Sequence, residues 1–234
     1  MRRGVLPVSD NQSAFFAADY DEKIGSTIPN YQVIQNEILD VIHTLRPDPK
    51  NWIETGCGTG SFALKASAAF PRAKFVISDP SEGMLKIARS KVAEQPQITV
   101  LDAQGTQDFA LEDESADVIT AILCHHYLDP MTRRKTTLNC FRMLRPGGLY
   151  ITVENIKPAT DHGISIGLER WKNFQIRSGK SLEEAEAHVN RFGKEFFPLT
   201  IREHRNLLQD AGFKTRELFW ASYMQAAFYA VKDL

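Results

Sequence analysis

Apolar positions set the organisation of this chain before any chemistry does. Five short runs, NWIET, KFVIS, ITVLD, ADVITAIL and GLYITVE, recur between residues 51 and 154, each bounded by turn or helix signals. Between them the period lengthens to that of a helix. Phe62–Phe70 follows the first run, and Met84, Leu85, Ala88 and Val92 form one stripe behind Ser81, a residue suited to an N-cap. Leu138, Phe141 and Leu144 form another before Arg-Pro-Gly-Gly, where PGG (146–148) reads as a turn into the last run. Strands alternating with helices at this spacing predict an α/β, doubly wound, mostly parallel sheet with right-handed crossovers.

Outside that block the pattern differs. Ile34, Ile38, Val41, Ile42 and Leu45 predict an amphipathic helix over Tyr31–Leu45, stopped by Pro47 and Pro49. Upstream, residues 14–29 suggest short helical pieces, and residues 1–13 read as a polar, mobile segment. From Asn155 to Ala211 the chain is helical and charged, with capping boxes at Ser181/Glu184 and Thr200/Glu203. KTRELFWAS and YMQAAFYAVK then predict an antiparallel hairpin joined near Ser222. The expected organisation is one domain over 1–234, with an N-terminal helical lid at 14–45 and a helical cap at 155–211.

Composition narrows the class. Hydrophobic residues are 43% and charged residues 24%, which suits a folded soluble domain. A formal net charge of −1 provides no global field for nucleic acid. Three cysteines at no metal-ligand spacing fit a reducing, cytoplasmic setting. No apolar run approaches the roughly 20 residues that span a bilayer. MRRGVLPVSD lacks the apolar core of a signal peptide. No metal is expected, since the adjacent His125 and His126 point apart and lack a third ligand at useful spacing.

The chemistry concentrates at ETGCGTGSF (54–62). Three glycines two apart, after a strand and before a helix, let a ligand press on bare backbone near a helix N-terminus. Ser61 stands where a dinucleotide fingerprint wants Gly or Ala, which argues against a nicotinamide dehydrogenase, and no Lys completes a P-loop. Asp79 ends the second strand, where a carboxylate accepts from ribose hydroxyls, and Asp102 ends the third on the same edge. Glu54, Asp79 and Asp102 with a glycine turn suit a ligand bearing an amine, two ribose hydroxyls and an adenine, without phosphate.

Together with ISDPSEGMLKIA (77–88), VLDAQ (100–104), ADVITAILCHHYL (116–128) and LRPGGLYITVE (144–154), this stretch resembles the class I S-adenosylmethionine-dependent methyltransferases, in order and spacing over about 100 residues. The resemblance implies a Rossmann-like seven-stranded sheet whose last strand is antiparallel. It implies S-adenosylmethionine as cofactor, S-adenosylhomocysteine as product and in-line methyl transfer to a small molecule. Carried over residue by residue, Gly56, Cys57 and Gly58 wall the methionine moiety, Glu54 fixes the loop or the amino group, and Asp79 with Pro80 holds the ribose. Asp102 and Ala103 frame adenine, while Ile122 and Leu123 close over the sulfonium. The termini are similar to a subgroup that includes the carboxy-S-adenosylmethionine enzymes of tRNA wobble-uridine modification. That likeness implies that Tyr31 reaches the cofactor and that Arg191 meets a carboxylate. Ile122 replaces a polar amide of that subgroup, which favours the unmodified cofactor. His125 and His126 are candidate general bases with a structural reading beside it. Trp171, Phe174, Phe192, Phe196 and Phe197 serve as cap packing or a substrate cage. Two alternatives stand beside a small-molecule methyltransferase: a tRNA wobble-uridine transferase and a non-catalytic S-adenosylmethionine-binding module. The cap also offers a homodimer surface.

Overall fold

The computed structural model describes residues 10–233. The signal-peptide reading of the N-terminus and the mobile reading of residues 1–9 lie outside the described residues. Seven strands form one sheet in the order β3-β2-β1-β4-β5-β7-β6. These are β1 (Asn51–Thr55), β2 (Lys74–Ser78), β3 (Ile98–Val100), β4 (Ala116–Ile122), β5 (Leu144–Asn155), β6 (Thr215–Ser222) and β7 (Gln225–Val231). β1 to β5 pair in parallel, with Ile53 opposite Val76 on one side and Ile119 on the other. β7 runs antiparallel to both β5 and β6, as the terminal hairpin predicts.

Strand periodicity sends alternate side chains to two cores. Trp52, Val118, Leu149, Ile151 and Val153 face one; Ile53, Ile119, Ala121 and Tyr150 face the other. The first is covered by α2 (Tyr31–Leu45), α3 (Ser61–Ala69) and α4 (Glu82–Lys91), the second by α5 (Pro130–Met143) and α8 (Ile201–Asp210). Trp52 is 1% exposed and donates its indole N–H to Thr120 Oγ1 at 3.0 Å, satisfying its polar end inside the core. Ser81 caps α4 by accepting from Met84 N at 3.0 Å, and both predicted capping boxes form.

Four expectations change. α2 packs Ile34, Ile38 and Ile42 on the sheet at 0–1% exposure, so residues 31–45 belong to the sheet layer and not to a lid. On α5, Leu138 is 41% exposed, and Arg133, Thr136, Thr137, Cys140 and Met143 form the buried face. Leu144 already opens β5, so the stripe read over 138–144 does not run along one helix face. The PGG segment is a bulge within β5, where pairing jumps from Ala116–Leu144 to Val118–Leu149. Finally, residues 10–13 are anchored: Asp10 accepts from Ser81 Oγ (2.7 Å) and Gly83 N (2.9 Å), holding this segment at the N-terminus of α4.

Above the carboxyl ends of the strands lie α1 (Tyr20–Thr27), α6 (Asp161–Arg177) and α7 (Leu182–Val189). Trp171, fully buried, donates its N–H to Thr27 O at 2.7 Å and meets His188 and Phe196 edge-on. This aromatic knot joins α1 to the cap.

Candidate active site

The chain leaves β1 through Gly56 and Gly58, at φ +59° and +54°, and enters α3. L-residues adopt that backbone only with strain. The two glycines differ in surroundings. A Cβ on Gly56 would lie 2.5 Å from Cys124 Cβ, whereas one on Gly58 meets nothing within 4 Å. Gly58 N donates to Asp79 Oδ2 at 2.9 Å, and Ser81 N donates to Asp79 Oδ1 at 3.0 Å. Asp79 thereby braces the loop from the end of β2, and burial raises its carboxyl above the ordinary range.

A cleft of about 330 Å³ opens over this loop. Gly56, Gly58, Asp79, Pro80, Ile122 and Leu123, all singled out in the sequence, line it together with His125. Cys57 and Glu54 lie beneath it, both buried. Tyr31 opens instead onto a neighbouring surface pocket beside Asp21 and Lys91, and burial pushes its hydroxyl up to about 12. Asp102 and Ala103 do not line the cleft. β3 is an edge strand that ends at Val100, and Asp102 stays beside β2 only through its carbonyl, which accepts from Ser78 Oγ at 2.8 Å. Its side chain is fully exposed, 3.9 Å from Arg89. In its place Gly105, Thr106 and Gln107, on the following 3-10 turn, reach the cleft.

Glu54 is the unusual group. It is 2% exposed, and its Oε2 finds no hydrogen-bond partner among the described residues. Burial, with the Asp79 carboxylate adding to it, pushes its carboxyl up to about 8. A buried acceptor without a donor is costly unless another molecule supplies one.

The two histidines are held by networks. His125 Nε2 lies 3.2 Å from Thr55 Oγ1 and 3.1 Å from Thr106 Oγ1, and its Nδ1 lies 3.2 Å from Tyr150 OH. Burial drives its pKa down to about 4. His126 Nδ1 sits 2.8 Å from Glu154 Oε2, and Asn155 Nδ2 donates to His126 Nε2 at 3.0 Å. Burial works against the Glu154 carboxylate, but the His126 hydrogen bond and the nearby imidazoles hold it at about 2. Both rings are fully engaged, which favours structural roles over proton transfer. Because the folded His125 pKa is depressed, its contribution is complete above pH 6.5 and is lost as pH falls toward about 4. His125→Gln is therefore expected to flatten the acid limb of a Tm-versus-pH curve, and an unchanged limb refutes this.

Three lining residues carried no sequence signal: Tyr20 lacks periodic context, and Gln12 and Ser13 sit in a polar stretch. Arg133, outside the lining, also gave none. Arg133 is buried and donates to His125 O, His126 O and Phe197 O, fixing the turn after β4. Arg191 lies at the rim, donating to Gln12 O at 2.6 Å and paired with Glu195.

Residues 53–148 match the family model described as a methyltransferase domain. That match covers less than half of the chain, and over it the sequence is similar to methyltransferases. Among relatives, it is 25% identical to the carboxy-S-adenosyl-L-methionine synthase of Staphylococcus epidermidis, over 85% of this chain and 86% of that protein. Solved structures share its fold. Haemonchus contortus phosphoethanolamine N-methyltransferase 2, in complex with S-adenosyl-L-methionine, superposes with a TM-score of 0.67 at 15% identity, over 99% of this chain and 61% of that one. Human N-acetylserotonin methyltransferase, also with the cofactor, gives 0.61 at 16% identity, over 93% and 59%. Among the described residues, no group of three or more His, Cys, Asp or Glu is arranged to hold a metal ion. No described helix is long and apolar enough to cross a membrane.

Proposed function

We propose that this protein is an S-adenosylmethionine-dependent methyltransferase that transfers a methyl group to a small molecule reaching the cofactor through an inner chamber beneath the cap. The observation that carries this reading is a shared wall. Ser13, Tyr20, Leu123 and Tyr127 border both the 330 Å³ cleft and a chamber of about 30 Å³ faced by His126, Asn155, His188 and Phe196. S-adenosylmethionine supplies a methyl group already activated on its sulfonium. The protein's task is then to align the acceptor and exclude water.

Glu54 Oε2 is the partner we assign to the cofactor ammonium, Asp79 to the ribose and the Gly56–Gly58 backbone to the methionine chain, with Pro80, Ile122 and Leu123 around it. Burial and the nearby Lys180 and Arg191 cations take the His188 pKa down to about 3. His188 is thus a neutral wall of the chamber, and no Asp, Glu, Lys or Arg side chain borders it. At about 30 Å³ the chamber has room for a water or two as it stands, so an acceptor of few charges takes that place only when the cap opens. The test is incubation with methyl-labelled S-adenosylmethionine and pooled metabolites. Labelled product together with S-adenosylhomocysteine is the expected result, while cofactor binding without turnover in any pool favours a binding module.

A second reading follows the relative's near-complete overlap and the place of Arg191. In it the cofactor carries a carboxylate, which Arg191 meets from the rim. Mass spectrometry of the ligand retained on purification separates the two readings, since the carboxylated form is heavier by the mass of its carboxylate.

A further inference from the structure

One carboxylate ties α1 to the glycine loop. Asp21 Oδ1 accepts from Thr59 Oγ1 at 2.7 Å and from Ser61 Oγ at 2.8 Å, and its Oδ2 accepts from Lys91 Nζ at 2.5 Å. Lys91 closes the ring, reaching Thr59 Oγ1 at 3.1 Å and Ser61 Oγ at 2.5 Å. Three elements far apart in sequence meet here: the first turn of α1, the glycine loop and the last turn of α4. Thr59 is 2% exposed although it sits in a loop. Burial works against the Asp21 charge, but hydrogen bonds from Lys91, Thr59 and Ser61 outweigh it and keep the carboxyl below its ordinary range.

The two ends of α1 are held differently. The C-terminal end is packed through Ile24 and Ile28 and receives the Trp171 indole N–H at Thr27 O. The N-terminal end is fastened to the loop by Asp21, next to Tyr20, whose side chain borders both cleft and chamber. The same loop is gripped from the opposite side by Asp79 at Gly58 N. Asp21, Ser61 and Lys91 also border a surface pocket of about 690 Å³, so solvent ions reach the fastening.

We propose that Asp21 is a positioning residue for the cofactor: it latches the Tyr20 end of α1 to the Thr59–Ser61 side of the glycine loop, so that lid and loop close over the cleft together. This rests on the cleft being the S-adenosylmethionine site. A ligand held under Tyr20 leaves only when the latch opens, and an ion pair that solvent can reach is weakened by salt. Asp21 and Lys91 act as one unit, so removing either breaks the same coupling.

The experiment measures dissociation of S-adenosylhomocysteine from the full chain by stopped-flow displacement. Wild type, Asp21→Asn, Lys91→Met and the double variant are compared at low and high ionic strength. Each single variant is expected to speed dissociation about tenfold, and the double variant to add nothing further. Wild-type dissociation should accelerate with salt, while that of Asp21→Asn stays flat. A merely structural ion pair would lower Tm and leave these rates unmoved. Dissociation within about twofold of wild type, or effects that add in the double variant, overturns the proposal. If the variants fail to fold, the wild-type salt series decides, and a flat series overturns it. Failure of wild type to bind S-adenosylhomocysteine would instead overturn the cofactor site.

Discussion

Glu54→Gln should make the protein more stable and nearly unable to bind S-adenosylhomocysteine. Both effects follow from one buried carboxyl without a hydrogen-bond donor at Oε2 among the described residues. Its pKa stands at about 8 in the folded chain, against an ordinary 4.5. A carboxyl whose pKa is raised by folding contributes most stability below its ordinary value, and stability is lost as pH climbs toward 8. At neutral pH the cost is on the order of 3 kcal/mol, taking about 1.4 kcal/mol per unit. The amide carries no such cost, so the Tm advantage of Glu54→Gln should widen from pH 5 to pH 8. In the proposed role, the cofactor ammonium restores the ionised carboxylate. Binding then releases a proton, and affinity rises with pH up to about 8 in wild type. Removing one member of a buried ion pair costs roughly 3–5 kcal/mol, so affinity should fall at least ~100-fold. Calorimetry in buffers of different ionisation enthalpy reads the proton directly. Glu54→Gln binding within about threefold of wild type would sink the assignment.

The second large effect contrasts two glycines in one turn. Gly58→Val should fold and lose the cofactor, whereas Gly56→Ala should fail first in stability. At Gly58 a side chain enters open cleft space, at the backbone strain of a left-handed residue, roughly 1–2 kcal/mol and more when β-branched. The cleft loses the bare backbone, and affinity for S-adenosylhomocysteine should drop about 100-fold. At Gly56 the added carbon collides with Cys124 Cβ, and both atoms are fixed by backbone. Overpacking of this kind adds about 1–3 kcal/mol to the same strain, lowering Tm by roughly 10 °C in a domain this size. Thermal melts with and without ligand check both. The opposite pattern, a stable Gly56→Ala and an unfolded Gly58→Val, would mean the two surroundings are misassigned.

Much of the frame could be read from the chain because its signals are local. Strand period, the caps at Ser81, Ser181 and Thr200, and the turn near Ser222 each depend on residues within a few positions. The glycine turn, with Asp79 after the next strand, was equally legible, since a parallel sheet brings the ends of neighbouring strands to one edge. The edge strand misled the reading of Asp102. Sequence shows an acid after an apolar run, but only pairing decides where the strand stops and which way the next side chain turns.

What the sequence determined by itself was local: the doubly wound sheet, its antiparallel last strand, and a glycine turn at Gly56 and Gly58 placed on the same sheet edge as Asp79. What the tertiary structure alone decided was every contact between distant segments. It placed α2 in the sheet layer, buried Arg133 under the turn after β4, saturated both histidines, and brought Asp21, Thr59 and Lys91 into one ring. Such contacts join residues tens of positions apart through packing and hydrogen-bond satisfaction, and neither leaves a period or spacing along the chain.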